Sequence, residues 1–101
     1  MNSELGENWC KIEIYNEYLK KIAALLVQLH TVEKMQHKAE TELSMLEAQA
    51  ETHSKTLYRE RLVSKLQQCG ERQKDLREEL SLIQKLKEQL EETLPVLKSH
   101  S

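Results

Sequence analysis

Apolar residues recur at alternating steps of three and four along most of this chain, and this period predicts a helix with a single apolar seam. With Tyr15 taken as heptad position a, eleven of the thirteen a and d residues up to Leu57 are apolar. The series is Tyr15, Tyr18, Ile22, Leu25, Leu29, Val32, Gln36, Ala39, Leu43, Leu46, Ala50, His53 and Leu57. A β-strand would need a period of two, which this segment lacks.

A second a/d series, shifted by two positions in phase, covers the rest of the chain. Nine of its eleven members are apolar. Its members are Leu62, Leu66, Cys69, Gln73, Leu76, Leu80, Ile83, Lys87, Leu90, Leu94 and Leu97. The phase break between the two series falls at residues 52–62, beside a small and polar stretch at residues 49–56. Such a break locally relaxes the left-handed supercoil.

The composition also favours helix over sheet. The 101 residues include no Phe, two Gly and one Pro, so the chain has few residues that could form the frequent turns of a sheet protein. We therefore predict an all-α fold built on a long amphipathic coiled-coil helix. Residues 1–7 are expected to fray, and residues 8–94 to form the coiled coil with Asn8 as its cap. Pro95 should end the helix near Thr93 or Leu94, which leaves residues 95–101 as a tail.

Alternating blocks of charge bear on how the seam is closed. Residues 33–51 carry a net charge of −3, residues 55–77 carry +4, and residues 78–92 carry −3. The first two blocks would face each other in a hairpin or in an antiparallel pair of chains. Because residues 49–56 contain no Gly or Pro, the sequence favours a near-continuous rod, with a helical hairpin about those residues as the alternative. A compact bundle broken near Gly70 is a third possibility.

The apolar face is wider over residues 12–32 than elsewhere, because Ile12, Leu19 and Leu26 occupy e positions beside the seam. A two-stranded seam needs only a and d, whereas a bundle face adds e or g. This face is either a thicker homotypic core or a docking site for further helices. The predicted partner-binding residues are Trp9, Ile12, Tyr15, Tyr18, Leu19, Ile22, Leu25, Leu26 and Leu29.

Four polar residues fall at seam positions: Gln36, His53, Gln73 and Lys87. Polar seam residues lower stability but penalise wrong registers and oligomer states, so we predict that these four contribute specificity. Cys69, at a d position, is expected to be a small core residue. No spacing of His, Cys and acidic residues suggests a metal or cofactor site, and no nucleophile–base pair suggests an enzyme.

The remaining features limit the class of partner. A net charge of −2 gives no bias toward nucleic acid, and no apolar run approaches the roughly 20 residues of a transmembrane segment. A basic stretch followed by leucines would suit a zipper-type DNA-binding protein. However, apolar residues expected in the core interrupt its Lys and Arg side chains. They are Leu57, Tyr58, Leu62, Val63 and Leu66.

Together these features predict a non-enzymatic scaffold or adaptor subunit that binds helical protein partners, by self-association or in a hetero-oligomer. Two widely separated cysteines favour a reducing compartment, the cytoplasm or the nucleus. Cytoskeletal, centrosomal, kinetochore and vesicle-tethering complexes commonly contain subunits of this kind. The alternatives are a regulator that sequesters a partner's amphipathic helix and the zipper-type protein.

Overall fold

A computed structural model describes residues 3–94 of the chain, and their side chains from Trp9 onwards. It contains two long α-helices, α1 over Ser3–Glu47 and α2 over His53–Thr93. The predicted all-α coiled-coil class is therefore confirmed. Helix α2 ends at Thr93, as Pro95 predicts. Helix α1 begins at Ser3, ahead of the expected cap at Asn8. The predicted tail and the last seam residue, Leu97, lie outside the described residues.

The favoured near-continuous rod is corrected by the structure, which shows the alternative hairpin. Helix α1 ends at Glu47, and residues 48–52 separate it from α2. Two hydrogen bonds between residues three apart tighten the end of α1. The amide of Ala48 donates to the carbonyl of Met45, and the amide of Gln49 donates to the carbonyl of Leu46. No described residue has a positive φ, so the chain turns here without a left-handed glycine.

The chain divides into two compact units. The turn unit, Val27–Arg77, contains the end of α1, the turn and the start of α2. The terminal unit contains α1 up to Leu26 and α2 from Glu78. In both units the two helices are brought together by the apolar positions of the predicted heptads.

Burial follows the predicted registers closely, except at the turn. From Tyr15 to Leu46, every a and d residue of the first series is buried or half-buried. The last three members of that series, Ala50, His53 and Leu57, are exposed because the helix break resets the phase. In the second series, every described member from Leu62 to Leu94 is buried or half-buried.

The core of the turn unit is a cluster of small and branched aliphatic side chains. Ala39, Leu46 and Leu62 are buried, and the half-buried Leu43 and Leu66 pack against them. Ala39 is only 1% exposed, so its methyl group fills the space available at that d position. A small residue there allows the two helices to approach closely, which is the packing expected of a two-helix seam.

Gly70 lies inside α2 with room beside it, which leads to a stability prediction. A Cβ atom built at this position would meet nothing within 4 Å. Glycine in a helix interior costs about 1 kcal/mol relative to alanine, because the unfolded chain has more freedom to lose. We expect Gly70→Ala to raise the free energy of unfolding by about 1 kcal/mol, and the melting temperature by roughly 4–8 °C. Thermal and urea unfolding followed by circular dichroism would measure it; an unchanged or lower stability would contradict the described backbone.

Candidate helix-binding surfaces

The turn between the helices is held by a buried lysine. Lys55 is 4% exposed, and its ammonium group donates to the carbonyl oxygens of Gln49 at 2.7 Å and Glu47 at 3.5 Å. It also bonds the Glu51 carboxylate at 3.0 Å. The carbonyl groups at the end of a helix lack partners and carry partial negative charge, so a cation there satisfies both needs. Lys55 thus satisfies carbonyl groups that, in many helices, a C-terminal glycine cap satisfies.

A threonine starts the second helix. The hydroxyl of Thr52 accepts a hydrogen bond from the backbone amide of Lys55 at 3.1 Å, which is the geometry of an N-terminal cap. The carbonyl of Thr52 accepts from the amide of Thr56 at 3.1 Å and so begins the ladder of α2. Thr52 and Lys55 together end one helix and begin the next within five residues.

Charged side chains close the outside of the turn. Arg59 donates from Nε to Glu47 at 2.8 Å and from Nη2 to Glu51 at 3.0 Å. The hydrogen bond from Arg59 lowers the pKa of the Glu47 carboxyl below its ordinary 4.5. Hydrogen bonds from Lys55 and then Arg59 lower the pKa of Glu51 in the same way. Because both pKa values are lowered, both carboxylates are charged at neutral pH and can accept these hydrogen bonds.

The acidic and basic blocks face each other across the turn unit, as the hairpin alternative predicts. Glu33 of α1 pairs with Arg77 of α2 at 3.6 Å. Glu42 accepts a hydrogen bond from the Tyr58 hydroxyl at 3.0 Å, which raises the pKa of Tyr58 above its ordinary 10.0. Within the terminal unit, Lys21 pairs with Glu79 at 3.2 Å. These pairs are exposed, so they contribute direction and register more than stability.

Two of the four predicted specificity residues meet across the seam. Gln73 is buried at 8% exposure, and its side-chain amide donates to the carbonyl oxygen of the half-buried Gln36. Lys87 is half-buried and pairs within α2 with Glu91 at 3.3 Å. His53 is a correction, because it is exposed at the start of α2 and lies outside the seam. The helix break moves it off the face that its heptad position predicts.

The predicted partner-binding residues fall into three groups by burial. The seam members Tyr15, Tyr18, Ile22, Leu25 and Leu29 are buried or half-buried, and Leu29 belongs to the turn unit. The e-position residues form a strip on the terminal unit: Ile12 is half-buried, while Leu19 and Leu26 are 42% and 49% exposed. We call Ile12, Leu19 and Leu26 the e strip. Trp9 is 63% exposed.

Three residues expected in the core lie on the surface instead. Leu57, Tyr58 and Val63 are between 43% and 49% exposed, although Leu62 and Leu66 are buried or half-buried as predicted. Seam positions in α2 repeat from Lys55, through Arg59, to Leu62, so the register places these three residues beside or away from the seam. The sequence contained this information, because extending the heptad phase of Leu62 to Leu94 backwards to residue 55 leaves these three residues outside the seam.

Leu57 lines a groove that the sequence did not reveal. The groove has a volume of about 720 Å³ and lies in the turn unit. Its apolar lining includes Val32 and Met35 from α1 and Leu57 from α2. Three cationic side chains of α2 border it, Arg61, Lys65 and Arg72. A sequence can show each of these residues, but the groove exists only once the hairpin brings the two helices together.

Comparison with known proteins adds no relative. No family model, curated protein or solved structure matches this chain. Over the residues described, neither helix contains a stretch long and apolar enough to cross a bilayer. Among the described residues, the e strip and the groove of the turn unit both leave apolar side chains open to solvent.

Proposed function

We propose that this chain is a non-enzymatic scaffold or adaptor subunit that binds a helix of another protein along its e strip. The observation that carries the proposal is the exposure of Leu19 and Leu26, which are 42% and 49% accessible although the hairpin buries the adjacent seam. A leucine that only packed the two-helix seam would be covered by it. These two lie at e positions, which face a further helix in a bundle.

The gain from covering the e strip supports a third helix as its occupant. Full burial of an aliphatic side chain contributes roughly 1.5–3 kcal/mol, and the strip members are already partly covered. Three such residues spaced by seven match one face of a partner helix over about two turns on either side of Leu19. Trp9, 63% exposed, lies one turn before the strip and could anchor the same partner.

We also propose that the chain works in a reducing compartment, the cytoplasm or the nucleus, within a larger complex of the cytoskeletal, centrosomal, kinetochore or vesicle-tethering kind. The support is chemical: Cys10 and Cys69 are both free thiols. An apolar strip left uncovered beside a two-helix seam suits a subunit whose task is to hold other helices. The same strip could also take an identical chain, which the experiment below separates from an outside partner.

Replacing Ile12, Leu19 and Leu26 together by serine should abolish partner binding and leave the hairpin folded. The change removes apolar surface from the e strip and leaves the a and d seam intact, so melting should fall by little. The measurement compares stoichiometric co-purification of a defined partner with wild-type and variant chains, together with sedimentation and thermal unfolding of each chain alone.

The matched control replaces Val27 and Met45 by serine, since both are 66% exposed and lie outside the strip. This control should keep the partner. If the triple variant instead melts earlier and its own oligomer loosens, the strip belongs to a homotypic core. If binding and melting both stay at the wild-type level, the e strip is ordinary surface and the proposal fails.

A further inference from the structure

We propose that the groove of the turn unit binds an acidic amphipathic helix of a partner protein. This inference rests on the proposed function, that the chain binds helices, but concerns a different surface and a stated chemistry. The groove combines an apolar floor with a cationic border, and an amphipathic helix carrying carboxylates beside its apolar row fits both.

The floor is apolar and open to solvent. Met35 and Leu57 are 44% and 47% exposed, and Val32 beside them is half-buried. The lining residues of α2 extend from Leu57 to Arg72, which is about 22 Å of helix. A partner helix of about four turns would therefore cover the groove, and burying these side chains would supply the non-polar part of the affinity.

The border is cationic, and none of its three cations has an ionic partner within the described residues. Arg61 and Lys65 lie four residues apart on α2, and no described carboxylate is within 4.0 Å of either. Arg72, the third cation, donates to the neutral amide of Gln28 at 2.9 Å. By contrast, Arg59 and Arg77 in the same helix are both paired with glutamates.

The balance of charge favours an acidic helix over another copy of the same groove. Glu60 is the carboxylate that lines the groove, against three cations. Two copies packed groove to groove would place like charges together, which a self-complementary interface avoids. A helix with Glu or Asp at steps of four and seven can reach Arg61, Lys65 and Arg72 in turn, while its apolar row contacts the floor.

The test uses a synthetic amphipathic peptide of about 21 residues, which spans the groove with about one helical turn to spare at each end. One row of leucines is flanked by glutamates; a second peptide has lysines in place of the glutamates. Fluorescence anisotropy of each labelled peptide is measured against the full chain at several salt concentrations. We expect the glutamate peptide to bind at least about tenfold more tightly than the lysine peptide, with the difference falling as salt rises.

Reversing Arg61 and Lys65 to glutamate should weaken binding of the glutamate peptide by about tenfold or more and strengthen binding of the lysine peptide. Because neither side chain is ion-paired in the described structure, the hairpin should stay folded, which circular dichroism checks. If the double variant unfolds, the single variant Arg61→Glu should still show a smaller loss of affinity for the glutamate peptide. The control Lys38→Glu with Lys74→Glu makes the same charge change away from the groove and should leave binding near wild type.

Four results would overturn the inference. The peptides could bind equally, or the control could lose as much affinity as the groove variant, which would indicate non-specific attraction. The reversal could change sedimentation of the chain alone, which would assign the groove to a second copy. A single-stranded oligonucleotide could compete more strongly than the glutamate peptide. The e-strip triple variant should keep peptide binding, so either surface can fail without the other.

Discussion

Replacing Lys55 by methionine is expected to lower the free energy of unfolding by roughly 3 kcal/mol, which corresponds to a fall in melting temperature of more than about 10 °C. Methionine keeps most of the buried volume but loses the ammonium group that bonds the carbonyl oxygens of Glu47 and Gln49. Those oxygens would then lack the charged donor that holds the turn. Thermal unfolding followed by circular dichroism measures the change.

The same substitution should weaken the preference for a closed hairpin. Residues 48–52 contain no Gly or Pro, so once the bonds from Lys55 are lost they can continue as helix. Two opened chains could then exchange arms and restore each seam contact between copies. We expect sedimentation of the variant to depend on concentration, whereas Lys38→Met, on an exposed lysine, should behave as wild type. A variant with wild-type stability and unchanged self-association would show that the bonds from Lys55 do not hold the turn.

Replacing Gln36 and Gln73 together by leucine should stabilise the hairpin by roughly 2 kcal/mol, because two apolar side chains would fill the seam in place of a polar pair. The stability should come with a loss of uniqueness. The glutamine pair penalises registers in which one amide faces an aliphatic side chain, and the double variant lacks that penalty. Analytical ultracentrifugation should therefore show additional oligomeric species.

The single variant Gln73→Leu distinguishes the interaction between the two glutamines from the contribution of each one alone. It leaves the Gln36 amide facing a leucine, so we expect it to be less stable than the double variant by more than the second leucine alone explains. A double-mutant cycle over the two sites should give a coupling free energy of about 1 kcal/mol or more. A coupling near zero would mean that the two glutamines act independently, and the specificity hypothesis would be withdrawn for this pair.

The heptad period was sufficient to predict the fold class and nearly all of the seam. Each step of three or four places an apolar side chain on one face, and from Tyr15 to Leu46 and Leu62 to Leu94 burial follows that face. Charge blocks gave the hairpin as an alternative, since Glu33 and Arg77 can meet only if the chain reverses or pairs antiparallel. Local pattern and local charge are both written in the sequence, so these features could be predicted from it.

The turn could not be predicted in the same way. The turn contains no Gly or Pro that would mark it in the sequence. Its carbonyl groups are instead bonded by a lysine of the next helix, Lys55, whose ammonium group reaches back six residues to Gln49. The surfaces were predictable in unequal measure. The e strip follows from positions on one helix, whereas the groove beside Leu57 requires the relative placement of two helices, which no periodicity supplies.

The pairing in the turn unit also limits which insertions and deletions the chain can accept. Gln28 with Arg72 and Glu42 with Tyr58 are cross-helix pairs, and fourteen residues separate them on each arm. One residue lost from one arm would rotate everything beyond it by about 100° relative to the other helix. Changes in length should therefore occur as whole heptads in both arms at once. Residues 48–52 are fixed in length as well, because Lys55 bonds the carbonyl oxygens of Glu47 and Gln49 across them.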